Sequence, residues 1–156
     1  MFRLTGFALI ILSSFFAFYY SSIADRCTYT FLLQTAELLG YLSFENISGR
    51  TYPEILNDID YKKLYYYKNF DFCSRDVFFE EMEKNHFIHK KEVHSTGSML
   101  SQIGQRTVRK ENEYISRCIT VLQQKSDFYR SKYEKNNKIN RIGGLSIGLI
   151  VMIVFI

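Results

Sequence analysis

The stretch LTGFALIILSSFFAFYYSSIA, residues 4–24, decides the architecture, because it runs for 21 residues without a charged side chain. As an α-helix at ~1.5 Å per residue it would measure about 31 Å, the thickness of a bilayer's hydrocarbon core. A second apolar stretch, IGGLSIGLIVMIVFI, covers residues 142–156, and every charged residue except Arg3 lies between the two. The sequence therefore predicts transmembrane helices at 1–24 and 142–156 around a polar domain at 25–141.

The second apolar stretch has only 15 residues, so as a helix it would reach about 22 Å. Lys135, Lys138 and Arg141 precede it, where long basic side chains can reach the headgroups and relieve the mismatch. We therefore predict these three residues as membrane-interface anchors. Gly144 and Gly148 have GxxxG spacing, which lets two helices approach closely in lipid, and they are the predicted packing positions of this helix.

Charge asymmetry orients the predicted spans. Basic residues are concentrated immediately before the last apolar stretch, and no charge follows it: Arg130, Lys132, Lys135, Lys138 and Arg141. The positive-inside rule then places the polar domain in the cytoplasm and the N-terminus outside. The alternative for the first stretch is a cleaved signal peptide, with Arg3 as a weak basic region and small residues at 22–24 for cleavage.

Composition excludes several classes of protein. The 156 residues carry 20 Lys and Arg against 16 Asp and Glu, and a net charge of +4 is too small an excess to indicate nucleic-acid binding. A hydrophobic share of 47 % excludes disorder for most of the chain. Cys27, Cys73 and Cys118 cannot form a closed disulfide framework, and they are predicted to be reduced thiols in a domain facing the cytosol.

The polar domain has apolar residues at helical spacing and no convincing strand alternation. Residues 28–42 follow the first apolar stretch without a helix breaker, so one helix is predicted to run out of the membrane into the domain. Residues 46–49 predict a turn. The expected fold class is all-α: a cytoplasmic helix bundle flanked by N- and C-terminal transmembrane helices.

Two short helices are predicted between Ser74 and the last helix. Ser74 is a suitable N-cap for the first, which contains Val77, Phe78 and Met82. The second carries Met99, Leu100 and Ile103 and is predicted to stop at Gly104, a natural C-terminal cap.

The last helix is predicted to open at Thr107 and to run to Arg141. Val108, Ile115, Leu122 and Tyr129 are seven residues apart and define an apolar stripe, which is typical of a helix-bundle seam. The other face is basic and is predicted to be solvated: Arg109, Lys110, Lys125, Arg130 and Lys132.

The sequence contains no P-loop, GxGxxG, GxSxG or paired-cysteine motif. His86 and His89 have i, i+3 spacing, and a metal site would need a third ligand such as His94 or Glu92. Solvated loop histidines are the favoured interpretation. We therefore predict no enzyme, with no catalytic, cofactor-binding or metal-binding residue.

The chain resembles stage III sporulation protein AB of spore-forming Firmicutes over nearly its whole length. The resemblance is carried by LTGFALIILSS at 4–14, GRTYPEIL at 49–56, YEKNNKINRIG at 133–143 and GLIVMI at 148–153. The chain departs from the family at Tyr20, where glycine is frequent, and at 105–108, where the usual small and acidic cap is absent.

This resemblance implies a fold related to the cytoplasmic domain of platform proteins in type II secretion and type IV pilus machines. It implies a place in the mother-cell membrane facing the forespore, within a channel complex. The expected partners are the companion ATPase, stage III sporulation protein AA, and other channel proteins, and a homo-oligomer is allowed. The candidate contact residues are exposed bases of the last helix: Arg109, Lys110, Arg117 and Arg130.

Two rival functions come from other classes. One is a small membrane-anchored binding protein, such as a toxin-neutralising immunity protein, which a cleaved signal peptide would suit better. The other is a membrane-bound metal hydrolase that uses the histidines.

Overall fold

The computed structural model describes the backbone of residues 2–47, 54–55, 64–68, 70 and 74–155, and the side chains of 19–20, 22–43, 54–55, 64–68, 70, 74–139 and 142. The elements in these ranges are α1 (Phe2–Ile47), a 3-10 turn (Tyr65–Tyr67), α2 (Arg75–Glu83), α3 (Lys90–Ser101) and α4 (Val108–Phe155). No strand occurs within them. The predicted all-α class is therefore confirmed for the described part of the chain.

Among the residues that the structure describes, no helix is both long enough and apolar enough to cross a membrane. The predicted transmembrane helices at 1–24 and 142–156 gain no support from this finding.

The long helices α1 and α4 pack side by side in opposite directions. Ser126 Oγ donates to the carbonyl of Tyr29 at 3.0 Å, and Ser43 Oγ donates to Asn112 Oδ1 at 3.4 Å. With 46 and 48 residues, each helix is about 70 Å long. The pair forms an antiparallel hairpin, so the start of α1 and the end of α4 leave the domain at the same end.

Helix α1 is continuous from residue 2 to residue 47, which confirms the prediction that 28–42 continues the first apolar stretch. No proline or glycine, the residues that weaken helices most, occurs at 7–39. The predicted turn at 46–49 is wrong at its first two residues, which are helical, and its last two lie outside the described residues.

The core lies between the long helices and is completed by aromatic side chains of the 3-10 turn and α2. Its main members are almost fully buried: Phe31, Leu32, Leu38, Leu39, Leu42, Leu64, Tyr67, Phe70, Phe79, Leu100, Ile115 and Leu122. The predicted stripe on α4 is confirmed at Ile115 and Leu122, but Val108 is exposed. The register of the hairpin places Val108 opposite Ile47, the last described residue of α1.

Tyr67 is the centre of the aromatic part of the core. Its ring stacks on Phe31 with centroids 6.0 Å apart and on Phe78 with centroids 5.4 Å apart. Its hydroxyl lies 2.6 Å from Thr35 Oγ1, which itself donates to the carbonyl of Phe31. The Tyr67 hydroxyl is therefore the donor to Thr35, and burial raises the pKa of Tyr67 above its ordinary range.

The short helices begin and end close to the predicted positions. Ser74 is the N-cap residue of α2. Helix α3 ends at Ser101, and Gly104 in the following turn has φ 85°, a left-handed conformation that glycine adopts without strain. Glu111 accepts a hydrogen bond from the Gly104 backbone nitrogen at 2.8 Å, which fixes this turn to the start of α4.

Candidate functional site

A buried charged cluster lies where the first apolar stretch of the sequence ends. At its centre is Asp25, the first charged residue after that stretch, whose side chain is 0 % exposed. We use the name basal cluster for the residues that this carboxylate and its neighbours connect: Asp25, His89, Glu92, Lys125, Tyr129 and Lys132.

Asp25 receives donors from two separate elements. Lys132 Nζ on α4 lies 2.9 Å from Oδ1, and His89 Nε2, just before α3, donates to the same oxygen at 3.0 Å. Asn136 Nδ2 donates to Oδ2 at 3.4 Å. A carboxylate held away from water needs such partners, because its desolvation is otherwise costly.

The start of α3 is attached to α1 at a second point, one helical turn from Asp25. Thr28 Oγ1 accepts a hydrogen bond from the backbone nitrogen of His89 at 3.0 Å. Asp25 and Thr28 stand three residues apart, so they share one face of α1. Side chain and backbone of the same residue, His89, are therefore both held by α1.

The cluster continues from His89 along α3 and α4. The His89 ring stacks on Tyr129 with centroids 5.1 Å apart, and the Tyr129 hydroxyl donates to Glu92 Oε1 at 3.2 Å. Glu92 Oε2 accepts from Lys125 Nζ at 2.6 Å. Burial, together with the charges of Glu92 and Asp25, raises the pKa of Tyr129 to about 12, so its hydroxyl remains a hydrogen-bond donor at neutral pH.

This arrangement joins three helices through charged and polar side chains. Both carboxylates face a lysine on α4, and those lysines stand seven residues apart on one side of that helix: Lys125 and Lys132. The acidic groups are thus engaged in ion pairs and hydrogen bonds. Chemically, the basal cluster fixes the relative positions of α1, α3 and α4.

The structure corrects two sequence predictions here. His89 was expected among solvated loop histidines, but its ring is part of the basal cluster. His86 is exposed in the loop as predicted, and His94 is exposed but lies on α3. Lys125 and Lys132 were expected on the solvated face of α4, but both reach buried carboxylates. Their α4 positions flank the buried stripe, so a lysine side chain can cover it and still reach an acid.

The three histidines do not come together. His94 lies beyond the start of α3 and its Nδ1 is 3.7 Å from Glu83, away from the Asp25 contact of His89. In the part of the chain that the structure describes, no group of three or more His, Cys, Asp or Glu side chains is placed to hold a metal ion.

The predicted partner-binding residues are all exposed on α4: Arg109, Lys110, Arg117 and Arg130. At about 100° per residue, the first three lie within about 100° around the helix axis, on the side opposite Ile115. Arg130 lies more than three turns further along and to the flank. Two of the four have acidic neighbours one turn on, since Arg109 lies 3.6 Å from Glu113 and Arg130 lies 3.1 Å from Glu134.

The predicted membrane-interface anchors Lys135 and Lys138 are exposed on α4, beyond the basal cluster. The predicted anchor Arg141 and the packing positions Gly144 and Gly148 belong to the same helix, and their side-chain surroundings lie outside the described residues. Cys27 and Cys118 are free thiols, and burial raises the pKa of Cys118. Cys73 lies outside the described residues.

No protein-family model, curated protein or solved structure matches the chain. The resemblance to stage III sporulation protein AB, which rests on the quoted stretches of sequence, therefore stays a prediction.

Proposed function

We propose that the protein is a non-enzymatic membrane platform: its terminal helices hold a helical domain at the membrane, and the domain docks a cytoplasmic ATPase. The observation that carries this proposal is the antiparallel hairpin of α1 and α4. Each of these helices contains one terminal apolar stretch and also contributes to the core of the domain. Both apolar stretches therefore leave the domain at the same end, as two anchors of one platform should.

The charges near that end support the proposed anchoring. Lys135 and Lys138 are exposed on α4 directly before the second apolar stretch, where basic side chains meet lipid headgroups. The same bias favours a cytoplasmic domain, on the side where an ATPase would be available.

The basal cluster supports a mechanical role for the domain. Its carboxylates are bound to lysines and to His89, and they tie α3 to both long helices just beyond the proposed membrane boundary. Such a base would keep the domain in a fixed orientation to its anchors. A platform needs this property, because a force applied by a docked ATPase must reach the membrane.

The proposed partner follows from the resemblance. We propose the companion ATPase, stage III sporulation protein AA, as the docked protein, in the mother-cell membrane facing the forespore and within a channel complex. The exposed bases of α4 are the proposed contact: Arg109, Lys110 and Arg117 on one side of the helix, and Arg130 further along it. Exposed positive charge attracts an acidic partner surface and sets partner choice.

A charge-reversal experiment tests the docking surface. Changing Arg109, Lys110, Arg117 and Arg130 together to glutamate is expected to lower co-purification of the ATPase at least roughly tenfold at low salt, because attraction becomes repulsion. Each single change is expected to lower it only about two- to threefold, since exposed charges mostly tune the association rate. The measurement is the amount of ATPase retained by the immobilised full-length chain.

The matched control replaces the three arginines by lysine and keeps the positive charge at every position. It is expected to retain the ATPase nearly as the parent does. Unchanged retention by the fourfold glutamate variant would show that this surface does not dock the ATPase.

A topology experiment tests the membrane arrangement against an exported binding protein. In a version with Cys27, Cys73 and Cys118 changed to alanine, one cysteine is introduced at Ser98, which is exposed on α3. An impermeant maleimide is expected to label this cysteine only after cell lysis, because the domain is proposed to be cytoplasmic.

The control for labelling is a cysteine at Phe2, which the proposed two-span topology puts outside, so it is expected to react in intact cells. Labelling of the Ser98→Cys variant in intact cells would reverse the orientation. It would favour the alternative of an exported, membrane-anchored binding protein such as an immunity protein.

A further inference from the structure

The loop that joins α2 to α3, together with the first two residues of α3, has an unusual composition. Residues 84–91 read KNHFIHKK, with three lysines, two histidines and no acidic residue. Lys84, His86, Lys90 and Lys91 are all exposed. Phe87 at the centre of the loop is also exposed, at 38 %. A lone large aromatic side chain among exposed bases is typical of a membrane-surface contact.

The loop lies beside the end of the first apolar stretch. The ring of Phe87 stacks on Tyr20, with centroids 5.4 Å apart. Tyr19 and Tyr20 are both exposed and belong to the last turns of that stretch. The stacked rings of Tyr20 and Phe87 are thus exposed at the level where the uncharged part of α1 gives way to charged residues, and Tyr19 is exposed on the same turn.

The loop is firmly held in this place. Ile88 is buried in the core, and His89 is bonded to α1 through both its ring and its backbone nitrogen. Ile88 and His89, the two residues that directly follow Phe87, are therefore both fixed by contacts with the rest of the domain. The fold therefore holds Phe87 in its exposed position.

The surroundings of the loop add positive charge. Arg26 on α1, and Lys135 and Lys138 on α4, are exposed near the same end of the hairpin. Asp25 and Glu92, the acids of the basal cluster, are buried and paired with lysines. Two acids near this surface, Glu83 and Glu134, are partly exposed, and they lie within 4 Å of His94 and Arg130. Exposed bases outnumber them, so the surface is aromatic with a basic excess, which complements an anionic bilayer surface.

We propose that the segment at 84–91 is a second membrane contact, in which Phe87 enters the interfacial zone of an anionic bilayer and the lysines bind its lipid headgroups. This inference rests on the proposed anchoring of the terminal helices, and it adds a third point of attachment from the domain itself. Two helices that leave the domain at one end allow the domain to tilt relative to the membrane. A third contact to the side of these helices prevents that tilt. Each lysine close to an anionic surface strengthens such binding by roughly fivefold.

The test uses tryptophan fluorescence, because the chain has no tryptophan. Full-length Phe87→Trp and Val108→Trp variants are reconstituted into vesicles of phosphatidylcholine and phosphatidylglycerol, with and without bromine on the acyl chains near the headgroup. Brominated lipid is expected to quench the Phe87→Trp emission roughly twofold and to leave Val108→Trp unchanged. Val108 is the matched control, since it is exposed on α4 about 36 Å along the helix from Lys132.

Charge variants then test the lipid chemistry. In the Phe87→Trp background, changing Lys84, Lys90 and Lys91 to glutamine is expected to remove most of the quenching. The control removes the same charge at Arg109, Lys110 and Arg117, far from the loop, and is expected to preserve it. Quenching in vesicles of phosphatidylcholine alone is expected to be weak for all variants.

The outcomes separate this inference from the proposed function. Vesicle flotation of the protein without quenching of Phe87→Trp would overturn the loop contact and leave the anchoring intact. If the protein does not float with the vesicles and its terminal helices do not insert into them, both the loop contact and the proposed anchoring are overturned. Equal quenching in anionic and neutral vesicles, unaffected by the lysine changes, would overturn the anionic-headgroup contact. Circular dichroism of each variant verifies that the helical fold is retained.

Discussion

Replacing Lys132 by methionine is expected to lower the free energy of unfolding by about 3 kcal/mol, because the fully buried Asp25 carboxylate loses its lysine and keeps only the hydrogen bonds from His89 and Asn136. Methionine keeps much of the lysine's apolar volume, so the loss reports mainly the charge. The measurement is urea unfolding of the full-length protein in detergent, followed by circular dichroism. Lys135→Met is the control on the same helix, and a change within about 0.5 kcal/mol is expected because Lys135 is exposed.

Changing Asp25, the partner of Lys132, gives a second test of the same ion pair. Asp25→Asn is expected to cost less than Lys132→Met, about 1–2 kcal/mol, because the lysine side chain is 42 % exposed and can reach water when its acid is lost. The double variant is expected to be more stable than the sum of the two losses indicates. Equal losses for Lys132→Met and Lys135→Met would contradict the assignment of Lys132 to the basal cluster.

Phe31→Ala is expected to cost about 3–5 kcal/mol, the usual range when a buried phenylalanine is truncated. Phe31 is 0 % exposed, and it contacts Tyr66 edge-on at 5.8 Å as well as stacking on Tyr67. The change would therefore open a cavity between α1 and the 3-10 turn. The loss is measured from the urea midpoint, with an unchanged slope showing that the unfolding transition itself is preserved.

Leu33 provides the matched control for Phe31. It stands two residues further on in the same helix and is exposed, so Leu33→Ala is expected to change stability by less than about 1 kcal/mol. A large loss for Leu33→Ala, or a small one for Phe31→Ala, would mean that α1 presents a different face to the core.

Much of the helical framework could be predicted because it depends on the spacing of apolar residues and helix breakers that are close together in the sequence. Ile115 and Leu122 mark the buried side of α4 by their seven-residue separation, and the glycine at 104 marks the stop before it. The continuity of α1 followed from the absence of breakers around residue 24. Val108 shows the limit of this reasoning, because a periodic position is buried only where another element packs against it.

The basal cluster could not be predicted in the same way. Asp25 and Lys132 are 107 residues apart in the chain, and the sequence around either residue does not indicate that the other is its partner. A lysine beside an apolar stripe looks the same whether it faces water or a buried acid. The available signal was Asp25 itself, an acid placed directly after a long uncharged stretch of helix, since such a carboxylate requires a partner nearby.

The long sequence separation between α1 and α4 also affects how the hairpin forms during synthesis of the chain. Helix α1 is synthesised first, whereas the α4 residue Ser126, which bonds to Tyr29 of α1, follows 97 positions later. At ~5–20 residues per second, this delay amounts to roughly 5–20 s on the ribosome. During that interval, one side of α1 lacks the helix that packs against it in the folded protein.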